Sequence, residues 1–308
     1  MPIETFYSHG KLLLTAEYVV LDGAKALGLP TKFGQQLEVS PSFKKQTIFW
    51  KSVLHNQQTW LDLELTWNKN LAFTCSTAST EAQKLVEIFN WIAQHNPVLF
   101  SAEKGYNFIS TLSFPKNWGL GSSSTLINNL AQWAKLDAFA LQDFAFGGSG
   151  YDVACAQHET PILFQKNQLQ PKIQPIAFTP DFKDELFFVY LNQKQNSRDA
   201  IQQYRNQSPA NVELAVERIN AITQQILDVT KIEDFESLLK SHEKIIASLL
   251  KQFPVQKQLF PDYPRSIKSL GAWGGDFILA TGNEQEKVYF QQKGFKIILR
   301  FDEMILNW

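Results

Sequence analysis

Little in this sequence marks a compartment, a metal or a polyanionic partner. Its 308 residues include only two cysteines, Cys75 and Cys155, far apart in the chain. Two isolated thiols make neither a disulfide framework nor a zinc site, and they fit a reducing, cytoplasmic setting. The five histidines, His9, His55, His95, His158 and His242, share no metal-ligand spacing, and no H-E-x-x-H occurs. That excludes a zinc hydrolase. Charge nearly cancels, with 29 Lys and Arg against 30 Asp and Glu for a net of -1. No global field therefore draws the chain to nucleic acid or to an anionic membrane. Long apolar runs are missing as well: Leu186–Leu191 is far too short to cross a bilayer. The opening MPIETFYSHG lacks the basic start and apolar stretch of a secretory signal. Common nucleotide signatures are also lacking. Gly10-Lys11 has Thr5 where a G-x-x-x-x-G-K-[ST] loop needs its first glycine, and Ser124 stands where G-x-G-x-x-G needs its last. The protein-kinase H-R-D and D-F-G set does not occur, since Asp276-Phe277 is followed by Ile278.

Hydrophobic residues make up 44% of the chain, ample for a sizeable core in one large or two medium domains. Aromatic and β-branched runs at 6–14, 36–39, 47–54, 59–67 and 106–114 read as strands. Leu85, Ile88, Phe89 and Ile92 recur at helical spacing, which predicts a helix over 81–94. Further on, 186–191 reads as a strand and 197–206, 210–228 and 233–251 as helices. The stretch 253–265, with three prolines, reads as a loop, and 295–301 as a last strand. Strands and helices in both halves, without regular βαβ alternation, favour an α+β fold of two lobes, divided near 165/166 into 1–165 and 166–308.

Three glycine clusters stand out. The first, Trp118-Gly119-Leu120-Gly121-Ser122-Ser123-Ser124, lies between a strand ending at Pro115 and an amphipathic helix carrying Leu126, Leu130, Trp133 and Ala134. Small residues entering a helix offer backbone N–H groups and the positive end of the helix dipole, a setting suited to phosphate. The same residues also suit a plain tight turn with Ser122 as helix cap. The second cluster, Gly147-Gly148-Ser149-Gly150, leads into Tyr151-Asp152. Asp152 is the leading candidate for a base, and it equally fits a first-turn acid that stabilises a helix. Lys11, in the first strand, and Glu17 fit surface charge as well as a site. The third cluster is Gly271-Ala272-Trp273-Gly274-Gly275.

Taken in order, these segments resemble the GHMP small-molecule kinases, in particular the mevalonate and phosphomevalonate kinase branch. The family's Pro-Gly-Lys…Gly-Glu-His opening is similar to His9-Gly10-Lys11 through Glu17-Tyr18. Its Gly-Leu-Gly-Ser-Ser signature matches Gly119–Ser124, and its Ser-Gly-x-Asp segment matches Ser149–Asp152. The Gly-Tyr-Asp-Val wording resembles a bacterial subgroup named for Gly-Tyr-Asp-Ile-Ala. The resemblance implies a ribosomal S5 domain 2-like N-terminal domain that binds nucleotide and a ferredoxin-like C-terminal domain. It also implies ATP and Mg²⁺ as cofactors. Asn117, Trp118, Gly119, Leu120, Gly121, Ser122, Ser123 and Ser124 would cradle the ATP phosphates, with Ser123 on magnesium. Asp152 would take the proton of a substrate hydroxyl while Lys11 holds developing charge. Glu17, Tyr18, Ser149, Gly150 and Gly274 would line the site of a small-molecule substrate, with the protein acting as a monomer or homodimer.

The pattern departs from the family at several positions. His9, Ala16 and Tyr18 replace the proline, glycine and histidine of the first motif, and Asn117 replaces a glycine. Trp273 and Asp276 interrupt the small-residue run of the third motif. Leu141 falls where a second magnesium carboxylate is usual, leaving Asp143 as the nearest acid. The implied activity is a mevalonate kinase-like phosphotransfer in isoprenoid precursor synthesis. The alternatives are a decarboxylase of the same fold, like diphosphomevalonate decarboxylase, and a catalytically silent nucleotide- or metabolite-binding relative.

Overall fold

A computed structural model describes residues 3–167, 170–193, 202–271, 273 and 275–307. The chain forms two compact units. The first comprises residues 1–10, 33–116 and 121–157, the second 11–32, 117–120 and 158–308. No single cut separates them, in contrast to the boundary expected near 165/166.

Strands β1 (Glu4–Leu13), β2 (Lys25–Pro41), β3 (Thr47–Val53), β4 (Thr59–Trp67), β5 (Phe73–Cys75) and β6 (Tyr106–Leu112) build most of the larger sheet. In the first unit the order is β5-β4-β3-β6-β2. The β3–β6 pair is parallel; β3–β4, β4–β5 and β2–β6 are antiparallel. Helix α1 (Thr80–His95) buries Leu85, Ile88, Phe89 and Ile92, the apolar face its periodicity predicts. Its first turn is closed by Ser79, whose Oγ accepts from Ala82 N–H at 3.1 Å. α2 (Ser122–Ala134), α3 (Ala138–Ala145) and α4 (Tyr151–Ala156) complete this unit. Aromatic rings fill its core: Trp50 stacks on Phe108 at 5.5 Å, and Trp133 meets Phe108 edge-on at 4.9 Å.

In the second unit the first half of β2 pairs with β7 (Ile162–Gln165), in the register Lys25↔Gln165 through Gly28↔Ile162, and β7 pairs with β8 (Lys172–Pro175). A separate four-stranded sheet follows, with β9 (Leu186–Tyr190), β10 (Ile267–Ser269), β11 (Phe277–Thr281) and β12 (Ile298–Arg300) in the order β10-β11-β9-β12. Helices α5 (Pro209–Asp228) and α6 (Ile232–Leu250) connect β9 to β10, and α7 (Glu284–Gln292) connects β11 to β12. This βα–ββ–αβ sequence with its antiparallel pairing is the ferredoxin-like arrangement. The expected loop at 253–265 contains a short helix, Val255–Leu259, and the expected last strand shortens to three residues before turning into helix at Phe301. Among the described residues, no helix is long and apolar enough to cross a membrane.

Candidate active site

In the first unit the chain enters α2 through Gly121, held in the left-handed region at φ 87 with no side chain capping the helix. The amides of the first turn, Ser122 to Ser124, are therefore the donors a helix start leaves for an outside acceptor. Two hydrogen bonds fix where this helix begins. Thr125 Oγ1 donates to Gln35 Oε1 at 2.5 Å, and Gln35 Nε2 donates to Ser110 Oγ at 2.6 Å, anchoring α2 to β2 and β6. Ser124 is buried, Ser122 half-buried and Ser123 exposed.

Ser122 and Ser123 open onto a cavity of about 300 Å³ whose other walls include Trp60, Glu81, Lys116 and Phe146. The Lys116 ammonium lies 3.5 Å from the centroid of the Trp60 ring and 3.7 Å from Glu81 Oε1. An aromatic wall, a cation and a helix N-terminus thus share one concavity. Its lining was not foreseen, because Trp60 comes from β4, Glu81 from α1 and Phe146 from the end of α3.

The second glycine cluster needs glycine for conformation. Gly147, Gly148 and Gly150 have φ of 66, 103 and 88. A Cβ on Gly147 or Gly148 would meet nothing within 4 Å among the described residues, so conformation rather than space is the constraint seen there. Asp152 sits in the first turn of α4, half-buried, and Ser149 Oγ accepts from Tyr151 N–H at 3.4 Å. α4 is tied to α2: Asn128 Nδ2 donates to Ala156 O at 3.4 Å, and Gln157 Nε2 donates to Asn128 Oδ1 at 3.1 Å. Asp152 and the serine-rich helix start therefore belong to one packed set of helices.

Lys11, Asn117, Trp118, Gly119 and Leu120 fall in the second unit. The Lys11 N–H donates to Leu120 O at 3.0 Å, coupling the first strand to the glycine turn. Trp118 is buried edge-on against Phe277 at 5.3 Å, and Tyr190 Oη donates to Asn117 O at 3.0 Å. Gly119 has φ 66, and an ideal Cβ there would lie 1.9 Å from Asp276 Oδ2. Asp276, which in the sequence only interrupts a small-residue run, thus packs directly on the glycine turn. Burial raises its carboxyl above the usual range, and the nearby Lys11 charge opposes that shift.

Two residues expected at a substrate site sit largely in the interior. Glu17 is buried and pairs with Lys268, so its carboxylate is not presented to a metabolite. Tyr18 is mostly buried beside Tyr204, with ring centroids 6.0 Å apart. Burial, with Glu17 adding to it, pushes the Tyr18 hydroxyl up to about 12. Both Ala16 and Tyr18 have positive φ, 73 and 65. Gly274 lies outside the described residues.

Asp143 is exposed on α3, and its carbonyl accepts from Gly147 N–H at 3.1 Å. Leu141 is fully buried in the core. Among the described residues, no group of three or more His, Cys, Asp or Glu side chains could cage a metal. The exposed Ser123 hydroxyl at the start of α2 is a side chain that could meet a cation held by phosphate oxygens and water.

No protein-family model matches the sequence, and no curated protein sequence matches it. Solved structures do. The Methanococcus jannaschii mevalonate kinase is similar with a TM-score of 0.71 at 13% identity, over 99% of this chain and 98% of that one. A Streptococcus pneumoniae phosphomevalonate kinase in complex with phosphomevalonate and AMPPNP gives 0.70 at 16%, over 96% and 99%. The Lactococcus lactis galactokinase complexed with galactose gives 0.67 at 12%, over 99% and 94%. Across both units, and with the glycine turns placed as described, this chain has the fold of the GHMP-type kinases.

Proposed function

We propose that this protein is an ATP-dependent kinase that phosphorylates a hydroxyl or phosphate group on a small metabolite, with mevalonate or phosphomevalonate as the favoured acceptor. The observation that carries this reading is the cavity that joins the Trp60 face and the Lys116 charge to the uncapped start of α2 at Ser122 and Ser123. A purine fits against an indole face, and phosphates fit the amides at a helix start. The neighbouring fold of a phosphomevalonate kinase complexed with AMPPNP supports the same ligand class.

In this reading Gly119 and Gly121 let the backbone approach the phosphates, and the amides of Ser122–Ser124 hold their oxygens. Asp152 accepts the proton of the attacking hydroxyl, and Lys11 balances charge on the transferred group. Magnesium, held by Ser123 with phosphate oxygens and water, would neutralise the phosphoryl oxygens. Positioning and charge compensation supply most of the acceleration expected for a loose transition state.

The test is ADP release with mevalonate, phosphomevalonate, homoserine and simple sugars, for wild type and Asp152→Asn. Turnover of one acceptor, reduced about 10²- to 10⁴-fold in Asp152→Asn, supports the proposal. Wild-type rates no higher than those of the variant on every acceptor would overturn it.

A further inference from the structure

Four titratable side chains of the second unit meet where solvent does not reach. Lys268 and His242 are 0% exposed, Glu17 1% and Glu243 3%. The Lys268 ammonium pairs with Glu17 Oε1, donates to the Ser269 carbonyl, and lies 3.2 Å from Glu243 Oε1. Glu243 accepts from Ser269 Oγ at 2.7 Å and from Trp273 Nε1 at 3.1 Å. His242 Nε2 accepts the Ala16 N–H at 2.9 Å, so the proton of the neutral ring resides on Nδ1. Among the described residues, that Nδ1 and Glu17 Oε2 have no hydrogen-bond partner.

Ionic clusters this deep cost desolvation, and apolar side chains of similar size would fill the space at lower cost. What apolar side chains would not do is join three particular stretches of chain. These are residues 15–18, where Ala16 and Tyr18 have positive φ; helix α6; and Lys268 to Gly271 with Trp273, where Gly271 and Trp273 have φ of 60 and 61. Backbone in such regions persists only where its surroundings fix it.

We propose that Lys268 is a positioning residue for metabolite recognition: shared between Glu17 and Glu243, its ammonium holds the Ala16–Tyr18 turn and the Leu270–Trp273 turn in one arrangement. The metabolite here is the acceptor of the kinase reading above, on which this inference rests. The Glu17–Tyr18 stretch and the third glycine segment, two of the three stretches the family resemblance assigns to the acceptor, are the ones the cluster joins, and Ser149–Gly150 lies outside it.

The charge of the cluster gives this role a signature. Burial pushes the Glu17 carboxyl up to about 7, with Lys268 opposing and Glu243 reinforcing the shift. Burial and the Lys268 charge hold His242 well below its usual value and therefore neutral. The Tyr18 hydroxyl, raised to about 12, stays protonated. With its carboxyl near 7, Glu17 changes charge near neutrality.

The test compares wild type, Lys268→Met, Glu17→Gln and the double variant. Amide hydrogen exchange is followed over residues 14–21 and 268–273 at about pH 6 and about pH 8, and KM is measured for ATP and for the acceptor identified above. Expected is exchange faster by about tenfold or more over 14–21 in Lys268→Met. The acceptor KM should rise by about tenfold while the ATP KM moves less than about threefold. Its pH dependence between those two values should vanish in Glu17→Gln. Should Lys268→Met fail to fold, the double variant, which removes the Glu17 charge as well, carries the same measurements. Unchanged exchange over 14–21 in the folded variants, or an acceptor KM with the same pH course in wild type and Glu17→Gln, would overturn the proposal. Exchange needs no turnover. Loosening over 14–21 in a protein that phosphorylates none of the acceptors would sink the kinase reading and uphold the clamp.

Discussion

An alanine at position 119 would put its Cβ 1.9 Å from Asp276 Oδ2, on backbone at φ 66. Strain in the left-handed region, about 1–2 kcal/mol, adds to the displacement of a half-buried carboxylate. Gly119→Ala should therefore lower unfolding stability in urea by about 2 kcal/mol or more and weaken ATP binding by calorimetry. Pairing it with Asp276→Ala should recover part of the stability by clearing the clash. Glu17 makes a pH prediction of definite sign. Its folded pKa of about 7 lies above the ordinary 4.5, so between those values the folded state binds more protons than the unfolded one. Stability from this group is greatest below about 4.5, falls as pH rises to about 7, and is level above. Urea midpoints across that range should decline less steeply in Glu17→Gln than in wild type. At this scale the motifs around Lys11, Ser123 and Asp152 were legible because each is a local pattern, and the roles given to these residues are proposals. The burial of Glu17 was not, because its partner Lys268 is 251 positions away.

Helix α1 was readable because Leu85, Ile88, Phe89 and Ile92 recur on one face, and all four are buried. Its cap offers a direct check: Ser79→Ala should cost about 1 kcal/mol in thermal or chemical unfolding, by removing the acceptor for Ala82 N–H. The first half of β2 escaped notice for an equally local reason. Ala26 to Pro30 is buried on both faces, so polarity does not alternate, and Gly28 and Pro30 read as breakers. The Pro30 carbonyl accepts from Leu306 N–H at 3.0 Å. The end of the chain shows the opposite error. Phe295–Phe301 looks strand-like in composition, yet Glu303 Oε2 accepts the Arg300 N–H at 2.8 Å and starts a helix at Phe301.

Each unit carries its own apolar interior. In the first, Phe89 is fully buried and touches the rings of Trp50, Phe73, Phe100, Phe108 and Trp133. Phe89→Ala should destabilise by about 3–5 kcal/mol in denaturant unfolding, because five rings cannot collapse into the space one leaves. The α+β class was apparent from the mixture of strand-like and helical runs. The assignment of segments to units was not, because it rests on pairings such as Lys25↔Gln165 that no local pattern announces. That interleaving has a practical corollary. Residues 158–308 expressed as a fragment would lack 25–28, leaving the ladder edge of β7 without its native neighbour and open to self-association. Efforts to crystallise or label the second unit alone should begin from co-produced complementary pieces or a rewired chain order, since a cut after residue 157 keeps every segment of the first unit but strips 11–32 and 117–120 from the second.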